Sequence, residues 1–353
     1  MRVGIFTSNS VNKLHPRIEM QFRILKNEGF DVSIIKSKTR REGFVYELFN
    51  LVFLKYFKWK FINQNKNKLD KFDIVHIYDL QLLPLTKYAQ RKNIRVIYET
   101  LDDNVFLNFH AVSKKVPILR LFKSPVTKLL QGYEKKMAIK YCDKVIVNSS
   151  NLLDNFNEAN LIYYASHLEG LTIERYDRTK ITAFIYIGKL NKGKGANEYV
   201  NLVNTFDIPL LFIGKSFDEN GDELLAHNNV KNLGEFDSEN LIKELRKILL
   251  KYNLIGLSII IPENKSYALQ EANKDIDYLC LGIPIVGNER RPTMEKIEAG
   301  AGVLYSDIDK INSLINNEGN VYDDCSESAK KKYRNYSQSE FQSRLLKIYN
   351  ELI

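Results

Sequence analysis

Short apolar runs alternate along this chain with longer stretches whose apolar positions recur every three to four residues. Val3–Phe6, Asp31–Ile35, Asp73–Ile77, Arg95–Tyr98 and Lys144–Val147 are rich in Val and Ile, and each is closed by polar or turn residues. Runs of this length mark strands buried on both faces, and helical periodicity between them marks crossover connections. Residues 16–28 read as such a helix, stopped by Gly29. The plan then repeats. Phe184–Ile187 ends at Gly188, Leu210–Ile213 at Gly214, Leu257–Ile261 at Pro262 and Ile283–Val286 at Gly287. Further helices are expected over 196–206 and, amphipathic, over Ser337–Ile353. The pattern predicts an α/β chain of two doubly wound Rossmann-like domains facing a cleft. The first is expected over 1–165 and the second over 180–335, with a linker around 160–180 where the rhythm lapses. Residues 336–353 form a helix that such a chain can send back to the first domain.

A length of 353 residues agrees with two domains, and 44% hydrophobic with 27% charged residues excludes a disordered chain. Cys142, Cys280 and Cys325 are far apart and form no CxxC, which argues against a zinc site or a disulfide framework. The opening MRVGIFTSNS has no long apolar stretch and reads as a strand rather than a leader. No membrane-spanning helix is expected.

Charge adds a partner. The net charge is +9, yet residues 1–178 hold 30 Lys and Arg against 18 Asp and Glu, while the remainder holds 22 against 25. The basic excess therefore belongs to the first half and calls for an anionic partner there. Residues 36–71 carry ten basic and three acidic residues around an aromatic stretch, 44–62, that includes Lys55, Lys58, Trp59 and Lys60. Two readings stand side by side: an interfacial helix whose lysines meet anionic lipid, and a core helix with a basic edge. A second basic segment, 114–144, extends the same surface. The expected partner is an anionic membrane surface reached through 36–71 and 114–144. This places the chain in the cytoplasm, peripherally on the inner face of the cell membrane. No nucleic-acid motif is visible, and the basic residues ride with aliphatics rather than a stacking platform, so nucleic acid is not expected.

The sharpest chemical signal is Gly188-Lys189-Leu190-Asn191-Lys192-Gly193-Lys194-Gly195, between a strand and a helix. Glycines let backbone approach a ligand, helix amides face an anion and lysines add charge, so the segment suits a diphosphate. A solvent-exposed basic turn is the competing reading, and the spacing is not that of a P-loop. Downstream, Asp277-Tyr278-Leu279 sits in a helix that Gly282-Ile283-Pro284 closes. A carboxylate at a strand's carboxyl end accepts both hydroxyls of a ribose, and one near a helix start also serves the helix dipole.

Together these segments resemble the GT-B fold glycosyltransferases, specifically the retaining family 4 type of bacterial surface-glycan synthesis. Gly188-Lys189 with Lys194-Gly195 resembles the family's Gly-Arg-Leu…Lys-Gly segment. Asp277-Tyr278-Leu279 with Gly282-Ile283-Pro284 resembles its Glu-Tyr-Leu…Gly-Xaa-Pro-Val segment. His15-Pro16-Arg17 with Gly29-Phe30-Asp31-Val32 is similar to its opening, and Asp73–His76 and Cys142–Ser149 fall at its first-half strands. The resemblance implies a nucleoside-diphosphate-sugar donor in the C-terminal domain and a glycan or lipid-linked acceptor on the N-terminal one. Gly188, Lys189, Lys194, Gly195, Asp277, Tyr278 and Leu279 would hold the donor, with no metal and no cofactor beyond that substrate. Lys189 stands for the usual arginine and Asp277 for the usual glutamate.

The departures are specific. The first acid of the family's paired motif is Leu269 here, with Glu263 and Glu271 off register, and Thr7-Ser8-Asn9-Ser10 contains no glycine. Glu99, Asp102 and Asp103 follow the strand where many members place a sugar-facing group, and His15 and His110 are further candidates. A capped, solvated turn and structural histidines are the competing readings. The expected function is retaining transfer of a sugar, in polysaccharide biosynthesis at the cytoplasmic membrane face. The alternatives are an acceptor-independent nucleotide-sugar epimerase or hydrolase, and an inactive GT-B-like partner subunit.

Overall fold

In a computed structural model of the chain, residues 1–7, 15–36, 59–78, 80–101, 123–156, 158–171, 175–261 and 271–353 are described. They form two compact units, Met1–Tyr163 together with Phe341–Ile353, and Tyr164–Glu340. The seam lies at Tyr163 and Tyr164, and the chain rejoins the first unit from Phe341 onward.

The first unit is built on β1 (Arg2–Thr7), β2 (Asp31–Lys36), β3 (Ile74–Tyr78), β4 (Arg95–Thr100), β5 (Lys144–Val147) and β6 (Asn160–Leu161). The sheet order is β2-β1-β3-β4-β5-β6, and every pair is parallel. The second unit holds β7 (Ile181–Leu190), β8 (Leu210–Ser216), β9 (Val230–Asn232), β10 (Tyr252–Ser258), β11 (Ile285–Gly287) and β12 (Gly302–Leu304). Its order is β12-β11-β10-β7-β8-β9, again all parallel. Both units are thus doubly wound α/β sheets, as the alternating pattern predicts. Strand order reverses between β1 and β3 in one sheet and between β7 and β10 in the other. In open α/β sheets the ligand crevice lies outside the strand carboxyl ends at such a reversal.

Burial explains the runs. All five residues of β3 are buried, as are five of the six in β4. The helix Ala196–Phe206 buries Ala196, Tyr199, Leu202 and Val203, one stripe of a 3.6-residue repeat. The helix Gln338–Asn350 buries Phe341, Leu345, Ile348 and Tyr349. Within the first unit Arg344 donates to the Leu161 carbonyl at 2.9 Å, and Lys144 pairs with Glu351 at 2.6 Å.

Two expectations differ from what forms. The strand expected at Leu257–Ile261 is β10, which begins at Tyr252 and pairs Tyr252 with Ile181 through Gly256 with Ile185. Gly256 permits it: a Cβ there would lie 2.5 Å from the Tyr278 ring. The isoleucines beyond Ser258 leave the sheet. β7 and β8 do not stop at Gly188 and Gly214 but run through them to Leu190 and Ser216. Most of the aromatic stretch 44–62 lies outside the described residues. Its described end is the helix Trp59–Asn65, where Phe61 and Ile62 belong to the first unit's core. Among the described residues no helix is long and apolar enough to cross a membrane.

Candidate functional site

The second unit's site grows from the carboxyl end of β7. Gly188 has φ 129° and faces Gly214, φ 143°, across the strand pair. A Cβ on Gly214 would sit 1.9 Å from the Gly188 carbonyl oxygen, so the two strands approach as only glycine allows. Where Gly188 would carry a Cβ there is open space. Lys189 follows, exposed, its ammonium 5.5 Å from the centre of the Phe217 ring. Lys215, its partner in register, approaches the same ring at 6.0 Å. The turn Lys192–Lys194 then leads into Gly195, whose φ of 82° starts the helix Ala196–Phe206. A Cβ on Gly195 would lie 2.8 Å from the Ile259 carbonyl oxygen. The displaced isoleucines hold this turn in place. The Tyr199 hydroxyl donates to the Ile259 carbonyl at 3.2 Å and accepts from the Ile259 amide at 3.1 Å. The Ile261 amide donates to the Gly193 carbonyl at 3.2 Å. The result is an open glycine turn, two lysines and a helix N-terminus at the point where strand order reverses, an arrangement suited to a phosphate anion.

Asp277 belongs to the helix Asn273–Leu281 in the same unit. Its carboxylate is buried and accepts from the Ser166 hydroxyl at 2.6 Å. Burial pushes the carboxyl up to about 7, the Ser166 hydrogen bond pulls it down, and Asp275 pushes it further up. Tyr278 and Leu279 have interior positions. The Tyr278 hydroxyl donates to the Ile185 carbonyl at 3.1 Å and accepts from the Ile187 amide at 3.2 Å. These two residues fix the helix against β7 and leave Asp277 as the group of the three with ligand chemistry.

Sequence reasoning passed over the residues that brace this helix. Asp275 is fully buried and accepts from Ser258, from Arg290 at 3.1 Å and from Thr293 at 3.3 Å. Lys296, also fully buried, donates to Glu271 at 2.6 Å and to the Pro292 carbonyl at 2.7 Å. Lys274 is the third. Its ammonium nitrogen lies 3.9 Å from the Tyr186 ring centre and 6.0 Å from that of Tyr199. Lys274 and Asp275 stand three and two positions before the family-like Asp277, and their charge in an otherwise apolar helix was the available signal.

In the first unit, Glu99 near the end of β4 is fully buried. Its carboxylate pairs with the Arg17 guanidinium, accepts from Gln21 at 2.8 Å and lies 2.9 Å from His76 Nε2. Arg17 also donates to the Ile162 and Tyr163 carbonyls, each at 2.9 Å. His76 Nδ1 lies 2.8 Å from the Tyr349 hydroxyl, and Tyr78 donates to Gln21. Burial alone would raise Glu99, but Arg17, then His76 and Gln21, hold it down to about 2. Glu99 therefore anchors Arg17 and is placed to position the sheet edge, with both oxygens engaged. His15 caps the helix Pro16–Asn27, its Nδ1 accepting from the Arg17 amide at 3.3 Å. Asp102, Asp103 and His110 lie outside the described residues. Beside the end of β4, Thr100, Gln131, Glu134, Lys135, Asp154 and Phe156 are among the residues that line a cavity of about 150 Å³ with polar and apolar walls in similar measure.

No protein-family model matches the chain, and no curated protein matches it. Solved structures do, over almost the whole length. HepE of Anabaena, solved with UDP, aligns at a TM-score of 0.67 and 10% identity, covering 99% of this chain and 100% of that one. The lipopolysaccharide outer core galactosyltransferase WaaB aligns at 0.60 and 12% identity, covering 99% and 100%. MnaA of S. aureus, solved with UDP, aligns at 0.51 and 12% identity, covering 100% and 97%. With two doubly wound parallel sheets and these structural neighbours, the chain has the GT-B fold.

Proposed function

We propose that this chain is a retaining glycosyltransferase that takes a nucleoside-diphosphate sugar on its second unit. It passes the sugar to a hydroxyl of a glycan or lipid-linked saccharide. The observation that carries this reading is the glycine turn at the β7–β10 reversal, with Lys189, Lys194 and a helix N-terminus around an open Gly188. These groups meet the charge that develops as the bond between the anomeric carbon and the phosphate oxygen breaks. The diphosphate leaves with the electron pair. The acceptor oxygen forms the new bond to the anomeric carbon, and its proton passes to the departing phosphate. Asp277 receives the ribose hydroxyls. The cavity beside β4 offers Thr100, Gln131, Glu134 and Asp154 to the hydroxyls of an acceptor and Leu152 and Phe156 to its apolar faces. HepE and MnaA, both solved with UDP, make UDP and its sugars the first probes. A thermal-shift panel of nucleoside diphosphates and their sugars tests the reading, because a ligand of the folded state raises Tm by mass action. No shift with any of them refutes it.

The ribose assignment predicts a pH dependence. With a folded value near 7 against an ordinary value of 3.8, the neutral form is the one the fold favours. That stabilisation is complete below the ordinary value and is lost as pH rises to about 7. Ribose hydroxyls favour the carboxylate instead. Uridine affinity is therefore expected to rise with pH up to about 7 and level off above it, and Asp277→Asn to abolish the rise. A flat wild-type profile by calorimetry removes Asp277 from the ribose site.

The membrane surface is proposed on the helix Lys123–Tyr141. Its outer face exposes Lys128, Lys135, Lys136 and Lys140 beside Leu129 and Ile139, which are 62% and 64% exposed. Cations around exposed aliphatics suit an anionic bilayer. Sedimentation with phosphatidylserine vesicles is expected to weaken with salt and to be lost when these four lysines become glutamine. Unchanged sedimentation rules this face out.

A further inference from the structure

Lys274 occupies an unusual place. It is the second residue of the helix Asn273–Leu281, and its amine is enclosed by the elements that present the glycine turn. Tyr186, under the amine at 3.9 Å, lies on β7 two residues before Gly188, and its hydroxyl donates to the Lys189 carbonyl at 2.7 Å. Tyr199, the other ring, sits in the helix that Gly195 starts. The nitrogen is buried and, among the described residues, has no hydrogen-bond acceptor. An ammonium has three donors and no acceptor, so its burial without partners is costly.

The charged groups around it do not repair this. Asp275, on its own helix, is the carboxylate that favours the ammonium, and it is already held by Ser258, Thr293 and Arg290. Lys194, from the glycine turn, and Arg290, from the start of the helix Arg291–Ile297, both repel it. The Tyr186 and Tyr199 rings offset part of the cost through their π faces. Burial, the largest influence, carries the Lys274 amine well below the ordinary lysine range despite Asp275, and Lys194 and Arg290 carry it lower still.

We propose that Lys274 is a proton-coupled clamp on the donor diphosphate, an amine without an acceptor in the free protein that takes one proton from solvent as the diphosphate arrives and binds it as an ammonium. The inference rests on the nucleotide-sugar reading and adds a third cation, from a different helix, to the two lysines of the turn. The diphosphate supplies both the missing acceptors and the compensating charge, so protonation and binding favour one another. Donor affinity falls as pH rises above the free amine's value, by at most about tenfold per pH unit. This sign is opposite to that of Asp277, whose contribution levels off at about 7.

The test is calorimetric titration of the full chain with UDP at about pH 8, in two buffers of different ionisation enthalpy. There Asp277 and the terminal phosphate are already ionised, and proton uptake reports Lys274. The expected result is proton uptake on UDP binding, at most one proton per UDP. Lys274→Met is expected to abolish the uptake and weaken UDP by about 10–100-fold, the value of a charge-assisted contact, with uridine affinity unchanged. Lys274→Arg, permanently charged, is expected to keep UDP affinity without uptake. If uridine binding is also lost in the methionine variant, the wild-type proton count and the arginine variant decide. UDP bound by the wild type with no proton uptake, or uptake that survives Lys274→Met, overturns the clamp and leaves the nucleotide-sugar reading standing. No binding of any nucleoside diphosphate overturns both.

Discussion

Lys194→Ala is expected to lower kcat/KM for sugar transfer by about 10²–10³-fold, with the circular dichroism spectrum unchanged. On the proposed transfer, the lysine meets charge that appears on the diphosphate only as the sugar departs, and the loss of one such stabilising group costs about that much. Lys194 is half-buried in the turn that Gly195 and Ile259 hold rigid, so its charge is delivered without reorganisation. Lys189 is exposed and shares the Phe217 ring with Lys215. Solvent screens it, and Lys189→Ala is expected to cost about tenfold, with more of the loss in KM. Steady-state kinetics with the donor found in the thermal panel separates the two. Equal kcat in wild type and Lys194→Ala sinks the assignment of this turn to the departing diphosphate.

Glu99→Gln is expected to destabilise the first unit by about 3–5 kcal/mol, because it leaves the buried Arg17 guanidinium without its counter-charge. For a unit of this size that is a fall in Tm on the order of 10 °C. The pH dependence has the matching sign. Glu99 titrates at about 2 in the fold against an ordinary 4.5. Its stabilisation is therefore present above the ordinary value and is lost as pH falls toward about 2. The double replacement Arg17→Met with Glu99→Leu is expected to recover most of the loss, since it removes both charges rather than one. At temperatures where Glu99→Gln remains folded, kcat is expected to stay close to wild type, because both carboxylate oxygens are engaged within the protein. A 10³-fold fall in kcat with the fold intact would show instead that Glu99 touches the reacting groups.

The two units use buried charge differently. In the first unit both Glu99 oxygens are engaged, and even the returning helix contributes Tyr349 to His76. In the second, Asp275 and Glu271 are paired with Arg290 and Lys296, whereas Lys274 has no acceptor among the described residues and Asp277 holds its carboxylate near neutrality. A paired network stabilises a fold. An open one beside a glycine turn is ready for a ligand.

The architecture and the positions of most strands and helices were legible in the order of amino acids, and the glycine and lysine segment at 188–195 stood out there as well. Burial on both faces writes parallel strands as apolar runs, and a glycine that must take positive φ or admit a close neighbour is visible as a glycine. Tertiary structure alone decided that β10 starts at Tyr252, because its register is set by pairing with β7 and by the room Gly256 leaves for Tyr278. It alone placed Tyr278 and Leu279 in the interior, since a family-like motif does not say which of its side chains turn inward. It turned Glu99 toward Arg17, 82 residues away in sequence, and Lys274 toward Tyr186, 88 residues before it. Such pairings follow from which strands and helices become neighbours, and no local pattern of hydrophobic and polar residues encodes that.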